Sequence, residues 1–220
     1  MPRSVTIRRP EAPIRARIAL PRGTGPAPPS ALYATPAGLV IAGPRADGFE
    51  LDFADLRFRA NPRGDGWYRV RYDLLGVLPI GFSRLNRVAI APVVLAGEPV
   101  LLGFGGDRYV LAGTALARDP GLSRYARFAG TYRLINPDVL SELAELDGAF
   151  LDYADGVLAL GYEADFVVSV RPRLPLAEVA ENLFVVAGRG ANTGEEVRID
   201  VTSDPPRITY SGYVLERSDD

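Results

Sequence analysis

Arg127-Phe-Ala-Gly-Thr-Tyr-Arg133 is the stretch from which the fold can be read. It follows a break at Asp119-Pro120-Gly121 and opens a run of strand-like segments that ends at Tyr213-Val-Leu-Glu-Arg217. Successive side chains in a strand point to opposite faces. Tyr132 therefore packs inside, after Gly130, while the charge of Arg133 places it outside. Gly66-Trp-Tyr-Arg69 carries the same Gly-x-Tyr-Arg punctuation and predicts an earlier module of the same kind.

Outward from this stretch the pattern is period two. Leu56 and Phe58 alternate with Arg57 and Arg59; Tyr68, Val70 and Tyr72 with Arg69 and Arg71; Val197, Ile199 and Val201 with Arg198, Asp200 and Thr202. Such alternation marks half-buried strands. Turn chemistry separates them, at Asp65-Gly66, Ala96-Gly97 and Asp155-Gly156. A helix is predicted from the N-cap Asn136 and Pro137 to Gly148, with Val139, Leu140, Leu143 and Leu146 on one face. A second short helix is predicted over Pro175–Leu183, on Leu176, Val179, Ala180 and Leu183. Pro21–Ser30, rich in Pro and Gly, reads as a linker without regular pairing. Gly188–Gly194 reads as a hairpin loop, because the phosphate-loop pattern needs a Lys that is absent.

Some fifteen short strands argue mainly antiparallel β. Eight strands per half close a small barrel and remove exposed edges. The expected organisation is residues 1–30 as N-terminal strands and linker, 31–118 as a first β-barrel module and 119–220 as a second. One large β-sandwich or barrel is the alternative.

Composition excludes much chemistry. The 220 residues contain no Cys, His, Lys or Gln, and all 25 basic residues are Arg. Neither a Ser-His-Asp triad nor a Lys Schiff base can be built, and a Cys/His zinc site is equally ruled out. Glu142, Glu145, Asp147, Asp152 and Asp155 lack calcium-loop spacing and read as a solvated face. A net charge of −2 gives no general attraction to nucleic acid or acidic membranes. The most apolar run, Val88–Phe104, is broken by Pro92, Glu98 and Pro99, so no transmembrane helix is expected. The N-terminus has no apolar core of a secretory signal, which predicts a soluble, cytoplasmic protein if this is the full chain.

Phe128-Ala-Gly-Thr-Tyr-Arg133, Asp155-Gly-Val-Leu-Ala-Leu160, Glu195-Glu-Val-Arg-Ile199 and Tyr210-Ser-Gly-Tyr-Val-Leu-Glu-Arg217 resemble the C-terminal lipocalin-like β-barrel of serine hydrolases in the β-lactamase/penicillin-binding-protein family. The resemblance covers Arg124 to Arg217, and its motif residues are Gly130, Tyr132, Arg133, Tyr213 and Arg217. It implies two lipocalin-like barrels that accompany a catalytic domain. The Ser-x-x-Lys nucleophile of that family has no counterpart here, since Lys is absent. The implied function is a non-catalytic accessory module that packs on a β-lactamase-like catalytic domain and shapes access to its active site. No cofactor, metal or catalytic residue is expected, and neither nucleic acid nor membrane as a partner. The alternative is a free-standing barrel that binds a small apolar ligand.

Overall fold

The computed structural model describes residue 20 and residues 24–26, 31–74, 78–80, 88–105, 108–136, 149–165, 169–188 and 192–218. Short antiparallel strands joined mostly by tight turns dominate them. They form two closed eight-stranded barrels of the same up-and-down topology.

The strands of the first half are β1 (Thr24–Pro26), β2 (Ala31–Thr35), β3 (Gly38–Arg45), β4 (Gly48–Phe53), β5 (Leu56–Pro62), β6 (Tyr68–Leu74), β7 (Leu78–Ile80), β8 (Val88–Leu95), β9 (Glu98–Gly105) and β10 (Arg108–Leu116). The ring runs β2 to β6, then β8 to β10, and closes where β10 returns to β2 (Thr114 opposite Ala34, Leu116 opposite Leu32). A short pairing of β6 with β8, Tyr68 opposite Ile90, completes it. Tyr33, Val40, Leu51, Ala60, Val70, Ile90 and Leu101 fill the interior.

The apolar run Val88–Phe104 resolves into two paired strands that are buried on both faces. Ile90 and Leu101 face the barrel interior. Ala89, Ala91, Leu102 and Phe104 face outward, under Trp67 and Leu20. A strand buried twice has no polar face to alternate, so its sequence reads as continuous hydrophobe. The predicted unpaired linker needs correction: Thr24–Pro26 pairs with β8, Pro26 opposite Val93. An edge strand tolerates Pro because one of its sides donates to nothing.

The second half has β11 (Gly130–Leu134), β12 (Ala149–Ala154), β13 (Val157–Tyr162), the small pair β14 (Ala164–Asp165) and β15 (Ser169–Val170), then β16 (Arg173–Ala180), β17 (Leu183–Val186), β18 (Glu196–Asp200), β19 (Arg207–Tyr210) and β20 (Tyr213–Arg217). All but β14 and β15 make the second ring, closed by β11 against β20. One expectation is corrected here. Pro175–Leu183 is not a helix, because Pro175 lies inside β16 and Leu183 begins β17. A register shift between Glu178 and Ala180 breaks the period-two pattern and so imitates helical spacing. The closing stretch Arg207–Arg217 is two strands around a turn at Ser211-Gly212. The helix predicted over Asn136–Gly148 lies, after Asn136, outside the described residues. Asn136 itself bridges to the last hairpin: its amide donates to the Gly212 carbonyl (2.8 Å) and its carbonyl accepts from the Val214 N–H (2.6 Å).

One helix was not foreseen. Pro120–Phe128 is a nine-residue 3-10 helix, capped by Asp119, whose carboxylate accepts from the Gly121 N–H at 2.8 Å. Three residues per turn put Leu122, Tyr125 and Phe128 on a single face. All three are buried against the second barrel's interior, which holds Tyr132, Leu151, Phe184, Val197, Ile199 and Ile208. Tyr125 meets Phe184 edge-on at 4.8 Å, donates to Glu178 Oε1 (2.7 Å) and accepts from the Asn182 N–H (3.0 Å). Among the described residues no helix is long and apolar enough to cross a membrane.

The two barrels share an apolar contact. Leu32 and Leu39 of the first pack with Val157 of the second, flanked by Ile41 and Leu116. Beside it the Asp119 N–H donates to the Gly156 carbonyl at 2.8 Å. Gly38 also belongs to this contact. A Cβ there would come within 2.8 Å of the Arg173 carbonyl oxygen, and its φ of +121° suits glycine alone.

The matched topologies reassign the sequence repeat. Gly66–Arg69 leads into the fifth strand of its barrel, whereas Gly130–Arg133 lies in the first strand of the other. The counterpart of Tyr132 is Tyr33, also in a first strand and also fully buried. Their hydroxyls differ. Tyr132 donates to the Phe128 carbonyl at the helix end (2.6 Å), while Tyr33 has no hydrogen-bond partner among the described residues. Tyr132→Phe is therefore expected to cost about 1 kcal/mol, and Tyr33→Phe to be neutral or stabilising. Tyr132→Ala should cost about 3–5 kcal/mol, and Arg133→Ala less than about 1 kcal/mol. Urea melts of the four variants against the parent check these values; a larger loss for Tyr33→Phe than for Tyr132→Phe would contradict the assignment.

Candidate functional site

Four of the five motif residues converge on the line where the second barrel closes. Gly130 opens β11 at a φ of +146°. Tyr132 stands opposite Arg217, and Arg133 opposite Glu216. Arg133 points to solvent and pairs with Glu216 at 3.1 Å, while Arg207 holds the same carboxylate at 2.9 Å. The Arg217 guanidinium donates to the Arg127 carbonyl (3.1 Å) and passes alongside Gly130. Tyr213, at the start of β20, lies instead at the edge of a small cavity with Leu160, Leu174, Tyr210 and Leu215. The motif thus locks first strand, last strand and helix together, and brings no reactive pair of groups into contact.

The cavity beside Tyr213 measures about 30 Å³, room for one water and far below the several hundred Å³ of a small-molecule pocket. Tyr210 borders it. Its hydroxyl pKa is raised, by burial first and by the Glu195 carboxylate second.

Larger space lies between the barrels, in a cleft of about 370 Å³. Its floor is one outward-facing row of the second barrel. Thr131 stands opposite Phe150, Phe150 opposite Gly161, and Gly161 opposite Arg173. A wall comes from the β4–β5 turn of the first barrel, where Ala54 and Asp55 take φ values of 51° and 65°. These fit a type I′ hairpin turn, whose twist matches the flanking strands. The Phe150 ring lies over Gly161, where any Cβ would come within 2.1 Å of it. The Arg171 guanidinium lies over the ring, 4.4 Å from its centroid. Arg173 pairs with Asp152 at 3.0 Å.

The sequence reading placed Asp152 in a solvated acidic stretch and passed over Phe150, Arg171, Arg173 and Asp55. Arg171-Pro172-Arg173 was the available signal, two arginines held in extended chain by proline. The row itself depends on strand register, which no local pattern carries.

No family model, curated protein or solved structure matches this chain. The fold defines a class of architecture: a tandem of two up-and-down β-barrels, each filled by its own side chains, with a polar cleft between them.

Two carboxyls near these features titrate in opposite senses. Burial raises Asp52, at the cleft's edge, above its ordinary value, although Arg57 and Arg173 oppose the shift. Glu216 is lowered by hydrogen bonds from Arg207 and Arg133. The folded state therefore gains from Glu216 above pH 4.5, and loses that gain as pH falls through the lowered folded value. Asp52 acts in reverse: its contribution declines as pH rises from 3.8 through the raised folded value. Carboxyl NMR titration should place the Asp52 midpoint above 3.8 and the Glu216 midpoint below 4.5. Asp52→Asn should stabilise the protein at pH 7 relative to pH 3, and Glu216→Gln should do the opposite; either midpoint on the wrong side refutes the corresponding assignment.

Proposed function

We propose that this chain is a non-catalytic accessory module, a tandem of lipocalin-like barrels that packs on a β-lactamase-like serine hydrolase domain and shapes access to its active site. The observation that carries this reading is the filled interior of both barrels. A barrel whose core is occupied by Tyr33 or by Tyr132 and Phe184 presents its outside, not its inside. A chain without His, Lys or Cys is also poorly equipped to catalyse acyl transfer by itself. The resemblance of residues 124–217 to the accessory barrels of that hydrolase family supplies the partner. The second reading, a carrier of a small apolar ligand, is disfavoured by the 30 Å³ cavity in the second barrel.

Fluorophosphonate and penicillin probes applied to the protein from its native host should label a Ser-x-x-Lys domain that is covalently continuous with, or tightly bound to, this chain. They should leave the serines of these 220 residues unmodified. Acylation within the chain, or a native preparation with no labelled hydrolase domain, would refute the proposal. Saturable uptake of a fluorescent fatty acid with a submicromolar Kd would favour the carrier instead.

A further inference from the structure

The cleft between the barrels holds two charged groups that the fold does not use. Arg171 lies over the Phe150 ring, and its side chain is exposed to solvent. It has no acceptor among the described residues. Asp55, on the turn that forms the opposite wall, likewise has no hydrogen-bond or ion-pair partner among them. By contrast, Arg173 and Asp152 in the same cleft neutralise each other.

The stack is built rather than incidental. Glycine at 161 is the only residue type that leaves room for the Phe150 ring, and the ring seats the Arg171 guanidinium, 4.4 Å from its centroid. A guanidinium already seated on a ring loses less entropy on binding than a free one. Thr131, next in the row, offers a hydroxyl that makes no hydrogen bond to the described residues.

Charge narrows the ligand. In the lining, Arg171 and Arg173 face Asp55 and Asp152; with Arg173 and Asp152 paired to each other, Arg171 and Asp55 are the two charges left for a ligand. One unpaired cation suits a monoanion, and two carboxylates in the lining disfavour a phosphate dianion. A planar carboxylate matches the guanidinium fork in a bidentate pair. Asp55, on the facing turn, accepts from hydroxyls at the far end. A volume of about 370 Å³ fits a molecule the size of one sugar unit.

We infer that the inter-barrel cleft is a binding site for a small hydroxylated carboxylate of sugar-acid size, with Arg171 gripping the carboxylate and Asp55 and Thr131 the hydroxyls. The inference is independent of the partner proposed above, because it concerns only residues of this chain.

The test uses the full chain, ¹⁵N-labelled, titrated with D-glucuronate, D-glucose and inorganic phosphate in parallel. Glucuronate should shift the Asp55, Thr131 and Asp152 amides with a saturating curve and a Kd of about 1 mM or below. Glucose and phosphate should bind at least about tenfold more weakly. Arg171→Leu, a change at an exposed side chain, should abolish saturation, and Arg171→Lys should weaken it while leaving the charge in place. A glucuronate titration without saturation overturns the site. Tighter binding of phosphate, or unchanged affinity in Arg171→Leu, overturns the ligand class and the role of the arginine.

Discussion

Each barrel depends on its first strand finding its last. Until β11 meets β20, the ends of the second sheet expose unpaired N–H and C=O groups, and the interior residues have no opposite wall. Closure satisfies both edges at once. The molecule secures this step with a cluster of groups rather than with one bond. Tyr132 stands opposite Arg217 on the seam and hydrogen-bonds the end of the 3-10 helix, and Arg217 grips that helix a second time at Arg127. Arg133, Arg207 and Glu216 tie three consecutive strands on the outside. Helix, seam and core are thus one mechanical unit.

The first barrel closes by the same topology but is anchored differently. Its seam tyrosine, Tyr33, is buried as deeply as Tyr132 and holds no acceptor among the described residues. Burial raises the pKa of both phenols, which keeps them neutral. Support comes instead from outside, where Trp67 and Leu20 cover β8 and β9 and β1 extends the β8 edge. One barrel is held from within by a helix, the other from without by Trp67, Leu20 and β1, and the apolar patch around Val157 joins them.

The strands were legible because most of them have one wet face, as Arg57 and Arg59 show on β5 and Arg198 and Asp200 on β18. The two-barrel arrangement followed from their number and spacing. Legibility failed where a second constraint overwrote the period. A bulge at Glu178–Ala180 gave β16 a helical look, and double burial removed the alternation from β8 and β9. Leu122, Tyr125 and Phe128 repeat every three residues, a spacing that suits neither an α-helix nor a strand, so the 3-10 helix went unread. The motif tyrosine and arginine of the second barrel were visible as a pattern, and their place on the seam was not. The cleft was hidden more deeply, because Thr131, Phe150, Gly161 and Arg173 are neighbours only through the register of four strands.

The meander order has a consequence for how such molecules can be built. In each barrel the entering strand lies beside the leaving one, Leu32 beside Leu116 and Tyr132 beside Arg217. Entry and exit therefore share one point on the circumference. A unit with adjoining ends can be duplicated, spliced into a loop of a host or permuted at a turn without rethreading the rest of the chain. The pair of barrels in this protein, alike in winding and dissimilar in residues, has the form that such modular reuse leaves behind.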